Sequence, residues 1–348
     1  MKTFITPARK VLLLIILFFC SIYLIVNDSN PLIGCKSDQP VVKKDSIVAW
    51  KFPDPGSIKE DEEGKIIREG RRIFLETYKY IGPDVKDTAK RYLGNNMDCQ
   101  NCHLRGGTLK NVFGLVGVYS DYPALDVRTN KVISIQERIN QCMTRSMNGK
   151  SLPEKSNEMN SLVAYLKWLS TYVPKGTRTE GNGVPRIDLI KRAADPVNGK
   201  TIFARNCMTC HAENGFGVLN DPGNVVVAAD SLNGYDFPPL FGPDSYNDGA
   251  GMYRQLTATA FIYSKMPYND AVLSLEDSYD VAAYINSQPR PHKSNVESDY
   301  PDLKLKPLDS PFPPYDDNFS QSQHKYGPYQ EMLKEGEKDK FINPNTGR

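Results

Sequence analysis

Two identical frames of cysteine and histidine carry the most distinctive chemistry in the sequence. Their members are Cys99, Cys102 and His103 in the first frame and Cys207, Cys210 and His211 in the second. A Cys-x-x-Cys pair adds its thiols across the two vinyl groups of haem, and a histidine directly after it is placed to ligate the iron. A redox-active thiol pair or half of a zinc site does not explain why both frames end in histidine. The frames therefore predict two covalently bound c-type haems.

The second haem needs a further ligand on the face of the iron opposite His211. Downstream of the frame, the candidates are Met252 and Met266. Met266 is followed by Pro267, which cannot continue a helix and would hold the loop that offers the sulfur, so the sequence favours Met266. The adjacent Lys265 is either a solvated loop charge or an alternative nitrogen ligand that exchanges with the methionine on a change of redox state.

For the first haem, three sulfur-bearing side chains follow His103 at about forty residues, namely Cys142, Met143 and Met147. Their distance along the sequence from His103 does not favour any one of the three. Cys142 is the only cysteine that lies outside both frames and beyond residue 35. An unpaired thiol without a function is a liability in an oxidising compartment, which favours Cys142 as the ligand. A small buried structural cysteine is the alternative.

The helix that carries Cys142 is predicted from its end signals. Ser134 and Glu137 form a capping-box pattern, and Asn148-Gly149 supplies a stop. Residues 135 to 147 should therefore form one helix.

One face of this predicted helix presents groups suited to a small sulfur oxyanion. Arg138, Cys142 and Ser146 are spaced by four and stack on a single face. A guanidinium donates hydrogen bonds to the oxygens of such an anion, and a thiolate can contact its sulfur. Arg128, upstream of the helix, would add a second cation. Taken singly, each arginine is more often a surface charge, so the hypothesis depends on the shared face.

An internal repeat shows which elements must position these residues. Gly70 to Phe74 recurs as Gly199 to Phe203 before the second frame, and Leu162 to Leu166 recurs as Val281 to Ile285. Apolar residues at helical spacing also predict a first helix between Ile58 and Ile81. The expected fold is mainly α, with two tandem cytochrome c-like domains that each hold one covalent haem.

Length and charge exclude several other classes of protein. The chain has 348 residues, which suits two domains, and 43 Lys and Arg against 41 Asp and Glu give a net charge of +2. So balanced a charge argues against nucleic acid as a partner. A hydrophobic fraction of 40% excludes a polytopic membrane protein.

The expected organisation follows from breaker-rich stretches and from the composition of the tail. The segments are a leader at 1–35, a linker at 36–57, an N-terminal cytochrome c domain with the catalytic haem at 58–178, an interdomain linker at 179–190, a C-terminal cytochrome c domain with the electron-transfer haem at 191–288, and a proline-rich tail at 289–348. The aromatic residues of the tail favour packing across the domains over a disordered tail.

The leader predicts export. Lys2, Arg9 and Lys10 precede the uncharged run 11–26, which is typical of an export signal. Leu32-Ile33-Gly34-Cys35 resembles a bacterial lipoprotein box that would leave a lipid on Cys35, and an uncleaved anchor or ordinary signal removal are the alternatives. All three place the working part of the chain in the periplasm, attached to the membrane only through this leader or its lipid.

The sequence from about Ile58 to Phe341 resembles the dihaem thiosulfate dehydrogenases. The segments that carry the resemblance are Arg138 to Cys142, Arg145 to Gly149, Phe237 to Pro243, Gly249 to Met252, Lys265 to Pro267 and His324 to Pro328. The family couples two thiosulfates to tetrathionate, and the same site can run in reverse.

The resemblance implies a role for each candidate residue. It pairs His103 with Cys142 on the first iron and His211 with Met266 or Lys265 on the second. It also assigns Arg128, Arg138 and Ser146, with Cys142, to the catalytic site, and an external acceptor or donor such as a small cytochrome c to the electron exchange.

Two other functions compete with this interpretation. One is a non-catalytic dihaem cytochrome that carries electrons for a respiratory oxidase or reductase. The other resembles the cytochromes that use a cysteine-ligated haem to load thiosulfate sulfur onto a carrier protein.

Overall fold

The computed structural model describes residues 47–220 and 234–333, which belong to one compact unit. The leader predicted at residues 1–35 lies outside this part of the chain. Among the described helices, none combines the length and the apolar character needed to cross a membrane.

Helices supply most of the regular structure in the described ranges, as the sequence predicts. Those of the first half are α1 (Glu62–Leu75), α2 (Thr77–Ile81), α3 (Ile135–Arg145) and α4 (Asn157–Leu169). Those that follow are α5 (Pro196–Asn206), α6 (Met208–His211), α7 (Gln255–Lys265), α8 (Leu275–Ser287) and α9 (Gln321–Tyr326). The strands pair as β1 (Ile47–Val48) parallel with β4 (Arg178–Thr179), β2 (Ala124–Asp126) antiparallel with β3 (Lys131–Ile133), and β5 (Val218–Leu219) antiparallel with β6 (Tyr235–Phe237).

The helix predicted between Ile58 and Ile81 is present as two segments, α1 and α2. Asp61 caps α1, because its carboxylate accepts a hydrogen bond from the Gly64 amide at 2.8 Å, and this leaves Ile58 outside the helix. Glu76, with φ −129° and ψ 48°, leaves the helical region and separates the two segments.

The two halves share one helix crossing. α1 packs against α4, and α5 packs against α8. Gly70 and Gly199 stand where these helices meet, and a Cβ on either glycine would collide with the facing carbonyl, that of Ser161 or Asp280. The repeated glycine therefore permits a close backbone approach in each half.

The repeated aromatic residues meet at the same crossings. The rings of Phe74 and Tyr165 lie 5.5 Å apart between centroids, and those of Phe203 and Tyr284 lie 5.4 Å apart, both pairs tilted. Such tilted contacts are a favoured aromatic geometry. The repeat read from the sequence is therefore also a repeat in three dimensions.

The segments flanking the second domain pack together against its helices. Ile187 and Ile190, from the predicted linker 179–190, are buried in one apolar cluster with Tyr329 and Met332 of the tail. The expectation that the tail packs on the domains is confirmed for its described part. The tail also contacts the first domain, where its residue Asp299 pairs with Arg128 and Arg145.

Candidate functional site

The first frame holds its histidine in the orientation that an iron ligand requires. Cys99 opens a short turn over Cys99–Asn101, and His103 follows it. His103 Nδ1 lies 2.7 Å from the carbonyl oxygen of Phe113. Because a carbonyl only accepts, Nδ1 carries the proton and Nε2 is left to bind a metal.

Helix α3 places Cys142 against this histidine. The helix begins at the predicted capping box, where Ser134 Oγ accepts from the Glu137 amide at 3.1 Å and the Glu137 carboxylate accepts from the Ser134 amide at 2.6 Å. It ends at Arg145, two residues before the predicted end. Cys142 lies within hydrogen-bonding reach of the His103 imidazole.

The residues of the first site fit a covalently attached haem. Burial and the nearby charge of Cys142 raise the pKa of Cys102, which places the frame and Cys142 together. The two methionine candidates, Met143 and Met147, are buried in the core cluster against which Cys99 and Cys102 also pack, whereas Cys142 is half-buried and lies against His103. Within the described ranges, no three His, Cys, Asp or Glu side chains are grouped to hold a bare metal ion, but a haem iron needs only two protein ligands.

The surroundings of Cys142 favour its thiolate form. Burial raises the pKa of this thiol, but the Arg138 guanidinium, His103 and Arg128 act in the opposite direction, and the result is a pKa lowered to about 6. At neutral pH the side chain is therefore an anion, the form that binds iron and attacks sulfur.

Arginine side chains surround this sulfur. Arg138 Nη1 lies 3.5 Å from Cys142 Sγ, as the spacing of four along α3 predicts. Arg128 is close enough to lower the pKa of Cys142 and is only 15% exposed. Ser146 is the residue that caps the C-terminus of α3, and its backbone carbonyl accepts a hydrogen bond from Asn95 Nδ2 at 3.0 Å.

The tail completes the site with residues that the sequence did not single out. Asp299 receives two hydrogen bonds from Arg145, at 2.7 and 2.8 Å, and lies 3.6 Å from Arg128. Tyr300 stacks under the Arg128 guanidinium, with 5.8 Å from Cζ to the ring centroid, and its amide donates to the Arg128 carbonyl at 2.8 Å. Arg145 lies seven residues after Arg138, which is two helical turns, so the sequence alone could have placed both arginines on the same face of α3.

We expect Asp299→Asn to lower the free energy of unfolding by roughly 2–4 kcal/mol, because it leaves Arg145 and Arg128 partly buried without their shared counter-charge. Urea unfolding of the haem-loaded chain measures the change. Glu62→Gln is the matched control, since its pair with Lys65 at 3.9 Å is exposed on both sides and should contribute less than about 0.5 kcal/mol. Equal losses in the two variants would contradict the prediction.

The second frame repeats the geometry of the first. Cys207 lies between α5, which ends at Asn206, and α6, which carries the frame to His211. His211 Nδ1 lies 2.8 Å from the carbonyl oxygen of Pro238, which again leaves Nε2 for a metal. Burial lowers the pKa of His211 and favours the neutral imidazole that binds iron.

The candidate ligands of the second haem lie at the end of α7. Met266 directly follows this helix and packs in the apolar cluster that also includes Cys207. Met252 packs only in the neighbouring cluster, which does not include the cysteines of the second frame. Lys265, the last residue of α7, is half-buried. Of the two methionines, Met266 is therefore the better placed.

Two tandem domains, each with its own haem-attachment frame, define a dihaem c-type cytochrome. The chain is 38% identical over 254 residues to the thiosulfate dehydrogenase of Psychrobacter arcticus, covering 72% of this chain and 71% of that protein. It belongs to the thiosulfate dehydrogenase family. The thiosulfate dehydrogenase of Stutzerimonas stutzeri is also 38% identical, over 73% of this chain and 77% of that protein.

Family models and a solved structure agree with this assignment. The SoxA/TsdA cytochrome c domain matches residues 90–174, and the cytochrome c family matches residues 196–289. The structure of thiosulfate dehydrogenase (TsdBA) from Marichromatium purpuratum is similar, with a TM-score of 0.63, 32% identity and coverage of 71% of this chain. This chain spans 50% of the length of that solved chain. The protein therefore carries two c-type haems on a mainly helical, two-domain fold.

Proposed function

We propose that the protein oxidises thiosulfate, coupling two molecules to one tetrathionate at the site formed by His103 and Cys142. The observation that carries the proposal is the Arg138 guanidinium 3.5 Å from a cysteine sulfur that faces the histidine of a haem-attachment frame. A cytochrome that only transfers electrons needs neither a thiolate nor a cationic pocket beside its iron. The names of the similar proteins point to the same reaction.

The reaction sets demands that these residues meet. Two thiosulfate dianions join through their outer sulfurs, one S–S bond forms and two electrons leave, with no atom or proton released. The anions repel each other, and the repulsion is strong in a site shielded from water. Arg128 and Arg138 supply positive charge there, and their guanidinium groups hydrogen-bond the sulfonate oxygens.

Cys142 and Ser146 act on the bound anion. As a nucleophile or sulfur carrier, the Cys142 thiolate would form an S–S bond with the outer sulfur of one thiosulfate, a step that releases two electrons to the acceptors. The outer sulfur of the second thiosulfate would then displace Cys142 as thiolate and yield tetrathionate. Ser146, which caps the C-terminus of α3 four residues after Cys142, donates a hydrogen bond to the oxyanion. Asp299 is held mainly by its two hydrogen bonds from Arg145 and lies 3.6 Å from Arg128 Nε, so it positions Arg128 beside the substrate site.

Electrons leave through the second domain. His103 and Cys142 are the proposed ligands of the first iron, and His211 with Met266, or with Lys265 in its place, of the second. When bound, the two haems supply the one-electron acceptors that this oxidation requires. An external acceptor such as a small cytochrome c then takes the electrons, and the reverse reaction would use the same residues with a donor.

The proposed location is the periplasm. The predicted leader at residues 1–35 favours export. Attachment to the membrane through an uncleaved leader or a lipid on Cys35 is part of this proposal.

One assay on the purified, haem-loaded chain tests the proposed function. Anaerobic addition of thiosulfate should reduce haem, visible in the absorbance spectrum. With ferricyanide as acceptor, one tetrathionate should form for every two thiosulfates consumed. If only a strong reductant changes the spectrum, the protein is an electron carrier; reduction without tetrathionate, with sulfur retained on the protein, would indicate a sulfur-loading cytochrome.

A further inference from the structure

The last turn of α3 has backbone carbonyls that the helix itself does not pair. The final four carbonyls of an α-helix lack amide donors within the helix. In α3 the carbonyls of Cys142 and Met143 accept hydrogen bonds from amides just beyond the helix, at 3.0 and 2.9 Å. Those of Thr144 and Arg145 face the second domain, so their partners have to come largely from there.

Asn247 of the second domain supplies these partners. It lies between β6 and α7, within the residues 196–289 that the cytochrome c family matches, and is 2% exposed. Its Nδ2 donates to the Thr144 carbonyl at 3.0 Å and to Asn148 Oδ1 at 3.1 Å. Its backbone amide donates to the Arg145 carbonyl at 3.1 Å. A buried residue of one domain therefore caps the C-terminus of a helix in the other.

The surroundings of Asn247 fix the orientation of its amide group. Oδ1 accepts a hydrogen bond from the Gly249 amide at 3.1 Å, so Nδ2 has to face α3. Both N–H bonds of Nδ2 and the oxygen are then paired. Because a buried donor or acceptor without a partner is costly, the loop and the end of α3 hold each other in this arrangement.

Two further contacts join the same turn to the same loop. Arg145 Nη1 donates to the Gly249 carbonyl at 2.9 Å. Asn95, which is fully buried, donates through Nδ2 to the Ser146 carbonyl at 3.0 Å and to the Ser245 carbonyl at 3.4 Å. The loop of residues 245–249 is therefore bonded to the end of α3 directly and, at Ser146, through Asn95.

The turn held in this way carries residues proposed to act on thiosulfate. Cys142 lies two residues before Thr144, and Ser146 follows Arg145 directly. A displacement of about 1 Å in such groups can reduce a reaction rate by as much as 10²-fold. We propose that Asn247 is a positioning residue, which fixes the last turn of α3 and with it the Cys142 sulfur and the Ser146 hydroxyl. This inference rests on the proposed function.

Asn247→Asp removes the side-chain donors that face α3 and keeps the rest of the loop. A carboxylate has nearly the size of the amide and still accepts from the Gly249 amide, but it has no donor for the Thr144 carbonyl. In the haem-loaded full chain, kcat/KM for thiosulfate should fall by about tenfold, with a raised KM. A loss of folded molecules alone would lower the apparent kcat and leave the KM unchanged, so the KM separates positioning from instability.

Asn286→Asp is the matched control. Asn286 is 3% exposed, accepts from the Tyr246 hydroxyl at 3.0 Å and donates to the Met252 carbonyl at 3.0 Å. The same substitution there also removes a buried donor, but both partners lie in the second domain. The KM for thiosulfate should therefore stay within about twofold of the wild type. An equal rise of the KM in the two variants would overturn the proposal.

Amide hydrogen exchange gives a readout that does not depend on turnover. Peptides that span residues 143–150 should exchange at least about tenfold faster in Asn247→Asp than in the wild type, and at the wild-type rate in Asn286→Asp. Wild-type exchange over 143–150 in Asn247→Asp would overturn the inference even where thiosulfate turnover is confirmed. Absence of tetrathionate in the wild type would instead overturn the proposed function, and the exchange would still test whether Asn247 fixes α3.

Asn247→Ala covers the case in which Asn247→Asp does not accumulate as a haem-loaded protein. It removes the same donors from the Thr144 carbonyl without placing a charge in the interior, so the KM and the exchange should change in the same directions. A wild-type KM together with wild-type exchange in Asn247→Ala would overturn the proposal.

Discussion

Cys142→Ala is expected to reduce thiosulfate turnover by at least about 10²-fold while both haems remain attached. Attachment depends on the cysteines of the two frames, and Cys142 belongs to neither. Alanine suits the interior of α3, so the helix should persist. The variant removes the thiolate that faces His103 and lies 3.5 Å from Arg138 Nη1, and with it the group proposed to meet the substrate sulfur.

Cys142→Met separates ligation from catalysis. A methionine thioether still offers sulfur to the first iron, but it is neutral and cannot act as a nucleophile. The potential of the first haem should rise, because an anionic thiolate stabilises ferric iron more than a thioether does. Turnover should stay as low as in Cys142→Ala.

Met143→Leu is the matched control for both variants. Met143 is the next residue along α3, is 2% exposed and packs in the core of the first domain. Leucine conserves its volume, so we expect turnover within about twofold of the wild type and unchanged haem spectra. Steady-state rates with thiosulfate and the spectra of the oxidised proteins decide the matter. Full turnover in Cys142→Met would contradict the proposed role of the thiolate.

Local sequence signals predicted the elements of the site well. The capping box at Ser134 and Glu137 forms as expected, and the spacing of four brings Arg138 to the Cys142 sulfur. These features succeed because both partners lie within one or two helical turns, where the backbone alone sets the distance. The repeated Gly70 and Gly199 succeed for a similar reason, since the same helix crossing recurs in both halves.

Contacts between distant segments were not predictable from the same signals. Asp299 lies 154 residues after Arg145, and nothing near it in the sequence shows that it pairs with two arginines. The carbonyls of Phe113 and Pro238 could not be predicted either. Every residue has a backbone carbonyl, and only the fold determines which of them orient His103 and His211. The first helix is interrupted at Glu76 by a change of backbone conformation, and Glu76 is neither a proline nor a glycine, the residues that would predict such a break.

Arg138→Gln is expected to lower kcat/KM for thiosulfate by roughly 30- to 10³-fold, which corresponds to about 2–4 kcal/mol. Arg138 is the cation in direct contact with Cys142, so its loss removes both an anion-binding group and the partner of the thiolate. The change should appear mainly as a raised KM, because the guanidinium binds thiosulfate before any bond forms. Arg138→Lys should recover only part of the loss, since an ammonium group lacks the planar fork that holds two oxygens.

Arg72→Gln serves as the control for this series. Arg72 is 61% exposed on α1 and pairs with Glu69 at 3.7 Å, so its replacement removes the same charge far from Cys142 and should leave kcat and KM within about twofold. Ionic strength adds a second test, because salt screens exposed charges far more than buried ones. If thiosulfate binds through Arg138, the KM of the wild type should depend less on salt than that of Arg138→Gln, in which only more distant cations attract the dianion. An unchanged KM in Arg138→Gln would mean that thiosulfate is held elsewhere, and the cationic pocket would then serve only to keep Cys142 ionised.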